Sequence, residues 1–345
     1  MTPAADPAAA RQRLLAAAGW GDAWSVPLAG DASQRRFERL KRLIDGRHEA
    51  TAVLIVSAPE AADIAAFDRI AGLLRELGLS APAVLAKDAA AGLLLVEDFG
   101  DVNFGRLVEA GEDPGPLCMR ATELLIALHR RFKPEAAAKL PLVVYNADLF
   151  LDQLMLFLDS YLPAAWGRPA DAAVREGFRL AWAGVLPLAY RVPQSLLLRD
   201  FHLGNLMYLP ARTGIGTCGL LDFQDAGIGP VTYDLVSLLE DTRLDLDRTT
   251  GDLLARYRAA FPALDATAFA NSYNILGAMR QCRVLAVFAR LAAQGRPAYL
   301  RHLPRAWRLL DRKLQEPVLA PVRAWFAKHL PPERRISAAL RPKAE

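Results

Sequence analysis

Cysteine is scarce in this chain of 345 residues: Cys118, Cys218 and Cys282 stand far apart, with no C-x-x-C pair. An odd, scattered set excludes a disulfide framework and a cysteine-based zinc site, and it fits a reducing compartment. Long apolar runs are missing too, since none reaches the roughly 18 residues that a membrane-spanning helix needs. The opening MTPAADPAAARQRLL has no apolar segment behind a basic one, so no secretory leader is expected. Together these absences predict a soluble, cytoplasmic protein with no membrane partner. There is no internal repeat and no low-complexity linker. A glycine-rich G-x-G-x-x-G loop is absent, as is any basic motif interleaved with stacking aromatics. The formal charge of +4 and pI near 9.0 therefore carry no nucleic-acid reading. The late basic segments RHLPRAWRLLDRKLQ and PPERRISAALRPK are expected to be solvated helix faces and a frayed tail.

What the chain does have is apolar mass: 53% hydrophobic against 23% charged residues, enough for one large domain or two ordinary ones. A first helix is expected around Ala8 to Ala18. WSVPLAGDASQRRFERLKRL and HEATAVLIVSAP then read as three strands in a meander, the third ended by Pro59. Ile64, Phe67, Ile70, Leu73, Leu74 and Leu77 recur at helical steps before Gly78, which predicts an amphipathic helix over 63–77. PAVLAKD and GLLLVEDFG supply two more strands. Residues 1 to about 100 thus form a small five-stranded lobe with one internal helix. From 101 to 345 the apolar periodicity is helical, at about 116–131, 148–162, 171–190, 233–240, 249–260, 267–294 and 303–315. The stretch 195–229 breaks it with short strands at SLLLRD, NLMYLP and CGLLDF. The fold class is α+β.

That interruption holds the chemistry. NLMYLPARTGIGTCGLLDF reads as a β-hairpin turning over Pro210 to Thr217. Asn205 precedes its first strand and Asp222 ends its second, so both belong at its open end, with Asp200 on the loop before it. Two carboxylates and an amide are oxygen donors suited to a hard cation such as Mg2+ that completes its shell with waters and substrate phosphates. Phosphoryl transfer follows as an expectation, one aspartate accepting the proton of an attacking hydroxyl. The plain alternative is three unconnected turn or capping residues.

RDFHLGN followed by LLDFQD resembles the H-x-D-x-x-x-x-N catalytic loop and metal-binding segment of the aminoglycoside phosphotransferase family, small-molecule kinases with a two-lobed, protein-kinase-like fold. LAGDASQRRF, LLVEDFGD, LLDFQDAGIGPVTYDLVSLLED and MRQCRVLAVFARL narrow the likeness to the anomeric N-acetylmuramate and N-acetylglucosamine kinases of cell-wall recycling. The resemblance spans about residues 27–315. It implies Asp200 as catalytic base, with Asn205 and Asp222 as metal ligands. It implies that the turn Gly30, Asp31, Ser33, Arg35 and Arg36 covers the phosphates of ATP. Backbone groups from Glu97 to Phe99 would hold adenine.

The chain departs from the family pattern at Leu198, where a histidine usually stands two residues before the aspartate, and at Gln224, in the place of the D-F-G glycine. The third strand ATAVLIVSAP has no lysine, and the helix after it has no central glutamate. Because phosphoryl transfer needs charge compensation, Arg35 or Arg36 is expected to supply it. Asp234 is expected to bond backbone amides, either at a helix start or under the catalytic loop. The candidates for holding substrate are His202, Asp225, Gln153 beside Asp152, and Arg280 and Arg283 on a later helix. Two arginines would suit a carboxylate-bearing acceptor, or they bridge helices. Two rival functions stay open: a kinase of another small alcohol (aminoglycoside, choline or homoserine), and an inactive nucleotide-binding scaffold.

Overall fold

The computed structural model describes residues 6–28, 35–58, 62–135, 140–246 and 248–341. Their contacts divide the chain into two units, Met1–Asp113 with Leu203–Asp225, and Pro114–His202 with Ala226–Glu345. Residues 101–113 and 203–225 thus group with the first unit. No helix among the described residues is long and apolar enough to cross a membrane.

The first unit opens with helix α1 (Pro7–Ala17), whose N-cap Asp6 accepts from the Ala8 amide. Strands β1 (Trp24–Leu28), β2 (Arg36–Ile44), β3 (His48–Val56), β4 (Val84–Asp88) and β5 (Leu93–Glu97) follow, with helix α2 (Ala62–Glu76) between β3 and β4. The sheet order is β1-β2-β3-β5-β4 and every pairing is antiparallel. Side chains alternate across a strand, so each face has its own set. Leu40, Ala52, Leu54 and Leu95 pack with Leu15 and Trp20 into one buried cluster. Their sequence neighbours Arg39, Val53, Ile55 and Val96 instead line a cavity. On α2, Ile64, Phe67, Ile70 and Leu74 are buried, and Gly78 ends the turn at φ 71°, as the apolar spacing predicts.

The hairpin pairs Leu206–Tyr208 with Cys218–Leu220, setting Met207 opposite Gly219. Backbone bonds tie it to the rest of the first unit. The Leu220 amide donates to the Ser80 carbonyl (2.7 Å), and the Tyr208 amide donates to the Val102 carbonyl (2.8 Å). Phe99 packs so closely over the hairpin that a Cβ on Gly219 would lie 2.8 Å from its ring.

In the second unit the long helix Ala266–Ala293, capped by Asp265, runs beside Leu303–Leu314. Of the apolar stripe within 148–162, Phe150, Leu154, Phe157, Leu158 and Tyr161 are buried and Leu151 is half-buried. The stripe passes through a π-helical turn at Phe157–Tyr161, and the Trp307 indole donates to the Tyr161 hydroxyl (2.7 Å). The late basic segments are only partly solvated, contrary to the sequence expectation. Lys313 is buried against Glu240 (2.5 Å) and donates to Asn274 (3.0 Å). Arg335 pairs with Asp311 and stacks on Trp307. Apolar periodicity gives the inward face of a helix but says nothing of a carboxylate waiting on another element.

A three-stranded sheet places Gly227–Pro230 between Val143–Val144 and Gln194–Leu197. The strand GIGP was not expected, because glycine and proline read as turn residues. Its glycine is required by contact: a Cβ on Gly227 would stand 2.2 Å from the Val143 carbonyl oxygen. Gly227→Ala should therefore lower stability by about 1–3 kcal/mol, read as a drop in the thermal melting temperature. A melt unchanged within error would show that this sheet yields without cost.

Candidate active site

Within the first unit, Asn205 and Asp222 meet at the hairpin's open end. The Leu221 amide donates to the Asn205 carbonyl (3.0 Å) just beyond the last ladder pair. This brings the Asn205 Nδ2 to 3.4 Å from Asp222 Oδ2. Asp222 adopts φ 57°, a left-handed conformation that a side-chain-bearing residue holds only at a cost of about 1–3 kcal/mol and mainly at functional or tightly constrained positions. Its Oδ1 accepts from Gln224 Nε2 (2.9 Å) and lies 3.5 Å from Arg35 Nη2. Gln224, at the position of the family's glycine, therefore steadies the aspartate.

These residues form the polar end of a cavity of about 620 Å³, whose other walls are largely apolar: Leu28, Phe37, Val53, Ile55, Phe67, Val96, Phe99, Met207 and Leu221. Such a volume and mixture suit a ligand with a flat apolar part and a charged tail. Phe67 stacks against Phe223, with centroids 4.8 Å apart. Glu97 and Phe99 both line the cavity. The Glu97 amide donates to Ala83 (2.8 Å) and its carboxylate pairs with Arg212 (2.5 Å), so its side chain serves the lobe's own structure.

Arg35 lines the cavity, whereas Arg36 is exposed and lies outside its wall. Gly30, Asp31 and Ser33 fall outside the described residues. Reading the sequence missed Arg39. Strand register sets it beside Val53 of β3, on the cavity face, so the sheet carries its cation on β2 and none on β3. Its guanidinium bonds Asp98 (2.6 and 3.1 Å) and Asp101 (2.8 Å). The one available signal was the alternation R-F-E-R in β2.

A cation would find a carboxylate and an amide oxygen at Asp222 and Asn205. Among the described residues no cluster of three His, Cys, Asp or Glu side chains could hold a metal ion. This sparse donor set fits magnesium, which keeps several waters and takes up substrate phosphates.

In the second unit, Asp200 sits on the loop after Gln194–Leu197, between the buried side chains of Leu198 and Phe201. Asp234, 2% exposed at the start of helix Tyr233–Leu239, reaches under this loop. Its two oxygens accept from the Leu198 amide (2.6 Å) and the Arg199 amide (3.0 Å). Arg199 is held at φ 73°. Of the two expectations for Asp234, the brace under the loop is the one formed. Burial raises its carboxyl to about 7, against the pull of those two amides.

A second cavity of about 200 Å³ is lined by Asp200, His202, Asp241, Thr242, Arg243, Arg280 and Arg283, with Val284, Val287, Phe288 and Tyr299. It brings three of the expected substrate residues to Asp200, while Gln153 and Asp225 are not in its wall. Arg280, Arg283, Val284, Val287 and Phe288 fall on one face of the long helix because they recur at three- and four-residue steps. Arg283 accepts the company of both Tyr233, whose hydroxyl it bonds (3.1 Å), and Asp200 (3.9 Å). Asp241 and Arg243 were not expected. Burial alone would raise the Asp241 carboxyl, but Arg243 grips it through three bonds of 2.7 to 2.9 Å and holds it well below the usual carboxylate range.

The family model described as "Phosphotransferase enzyme family" matches residues 25–270. An N-acetylmuramate/N-acetylglucosamine kinase of Caulobacter vibrioides is 36% identical over 97% of this chain and 100% of its own. A kinase of the same name from Pseudomonas aeruginosa is 31% identical over 86% and 87%. Among solved structures, a choline/ethanolamine kinase family protein from Mesorhizobium loti aligns with TM-score 0.60 at 17% identity, covering 92% of this chain and 99% of that one. Wild-type aminoglycoside 2'-phosphotransferase-IIIa, solved as its GDP complex, aligns with TM-score 0.59 at 16% identity over 88% and 97%. The protein-kinase-like α+β fold expected from sequence is thus the one observed, and the chain belongs to the phosphotransferase enzyme family.

Proposed function

We propose that this enzyme moves the γ-phosphoryl group of ATP to the anomeric hydroxyl of an amino sugar, N-acetylmuramate or N-acetylglucosamine, in cytoplasmic peptidoglycan recycling. The observation that carries the reading is the approach of Asn205 to Asp222, 3.4 Å apart in a cavity that joins apolar walls to charged side chains. The relatives from Caulobacter vibrioides and Pseudomonas aeruginosa, both N-acetylmuramate/N-acetylglucosamine kinases, support the acceptor.

Adenine lies between the apolar walls, beside the backbone of Glu97 to Phe99, and residues 30–36 would cover the phosphates, as the family resemblance implies. Asn205 and Asp222 would hold magnesium, which would supply charge neutralisation to the phosphates when bound. Asp200 takes the proton of the sugar hydroxyl as its oxygen forms the new bond to the γ-phosphorus. The bond from that phosphorus to the bridging oxygen breaks, and ADP leaves. Arg35 adds the positive charge that β3 lacks. Arg35→Ala should raise the KM for ATP about tenfold, and Arg36→Ala should leave it within about twofold. Equal effects at the two positions would remove Arg35 from this role.

The second cavity sets three arginines against two aspartates, a poor reception for cationic acceptors such as choline or an aminoglycoside. The decisive test incubates the protein with ATP, magnesium and a panel of sugars and alcohols, with products identified by mass and by phosphorus–proton coupling. A 1-phosphate of either amino sugar is expected. Phosphate on another position, or on another alcohol alone, would overturn the reading.

A further inference from the structure

We propose that Arg280 receives the carboxylate of an acidic amino sugar and thereby makes the acceptor site selective for acid over neutral sugars. The inference rests on the amino-sugar kinase reading and specifies which acceptor its site is built for.

A charge taken out of water is costly unless something pairs with it. Around the second cavity two arginines are so provided: Arg243 by Asp241 at 2.7 to 2.9 Å, and Arg283 by the Tyr233 hydroxyl at 3.1 Å and Asp200 at 3.9 Å. Arg280 is different. It is 8% exposed, yet among the described residues its guanidinium makes no hydrogen bond or ion pair, and it faces the same cavity as Asp200. A planar cation largely shielded from water, with no side-chain partner among the described residues, is a preformed seat for a carboxylate, which it can bond through two parallel N–H groups.

The cavity's size narrows the ligand. At about 200 Å³ it lies below the roughly 300–1,000 Å³ of sites for drug-sized ligands, so it suits one sugar ring rather than an oligosaccharide. Asp200 in the same wall requires a reactive hydroxyl nearby. N-acetylmuramate meets both conditions, because its lactyl ether sets a carboxylate on the ring that also carries the anomeric hydroxyl. N-acetylglucosamine has the ring and the hydroxyl alone. Val284, Val287 and Phe288 give an apolar wall for the methyl groups both sugars carry.

A competing role is visible. Arg280 is within electrostatic reach of the buried Asp234 carboxylate, and it could serve only to balance that charge. The two roles separate by how the enzyme's preference depends on the substrate's charge. Wild-type enzyme is assayed with N-acetylmuramate, with its lactyl amide and with N-acetylglucosamine, at saturating ATP. We expect kcat/KM for the acid to exceed that for the amide by roughly 10- to 100-fold, mostly through KM. In Arg280→Gln the ratio should fall toward one, and Arg280→Lys should restore part of it because the charge returns without the fork. Equal turnover of acid and amide by the wild type would overturn the proposal while leaving the parent reading intact. So would an Arg280→Gln loss that is the same for all three sugars, which would assign Arg280 to Asp234 or to the nucleotide. Turnover of none of the sugars would bring down the parent reading, and this one with it.

Discussion

Asp200→Asn lowers kcat for sugar phosphorylation by about 10³-fold while the melting temperature stays within a degree or two of wild type. The amide keeps the shape of the carboxylate but cannot take the hydroxyl proton, and proton transfer by a placed base contributes about 10²- to 10⁴-fold. An isosteric amide also keeps much of the hydrogen-bonding capacity of the carboxylate, and the loop is held from below by Asp234 and by the buried Leu198 and Phe201. ADP release under saturating sugar, with a thermal melt on the same preparation, measures both quantities. A loss smaller than tenfold would mean that Asp200 is not the base.

The opposite profile is expected of Asp234. Asp234→Ala leaves the amides of Leu198 and Arg199 without acceptors in a buried place, at about 1–3 kcal/mol for each unsatisfied donor, so stability falls by about 2–5 kcal/mol. Arg199 is held at φ 73° with its amide on Asp234, and its relaxation would move Asp200. The kcat of molecules that remain folded should therefore drop about 10- to 100-fold. Because the folded-state carboxyl is lifted from 3.8 to about 7, its contribution to stability is complete below about pH 4 and is lost as pH rises through about 7. The gap in melting temperature between wild type and Asp234→Ala should narrow across that window. A gap that widened from pH 4 to 8, or a variant with wild-type kcat, would refute the role of Asp234 as the brace.

How much could be read before folding varied with the range of the interaction. The periodic runs placed α2, the five strands and the long helix close to where they lie, because periodicity is a local consequence of burying one face. The hairpin was legible for the same reason, and it brings Asn205 to Asp222 across seventeen positions. Where local chemistry misled, a contact had overridden it. GIGP is a strand because its neighbour's carbonyl leaves no room for a side chain at Gly227. Lys313 is buried because Glu240 lies beside it. The helices Phe104–Glu109 and Ala320–His329 were not read at all, being short or proline-interrupted and weakly patterned.

By itself the sequence determined the type of chemistry: oxygen donors at a hairpin mouth, an aspartate on the loop before it, and no cysteine or glycine-rich loop to suggest anything else. Only the tertiary structure decided how the cations are shared out. Arg39 is spent on Asp98 and Asp101, Arg243 on Asp241 and Lys313 on Glu240, while Arg280 is left buried and facing the second cavity. The reason is physical. A guanidinium's partner is whichever carboxylate the strand register and helix packing bring within about 3 Å, and that distance is a property of elements remote in the chain.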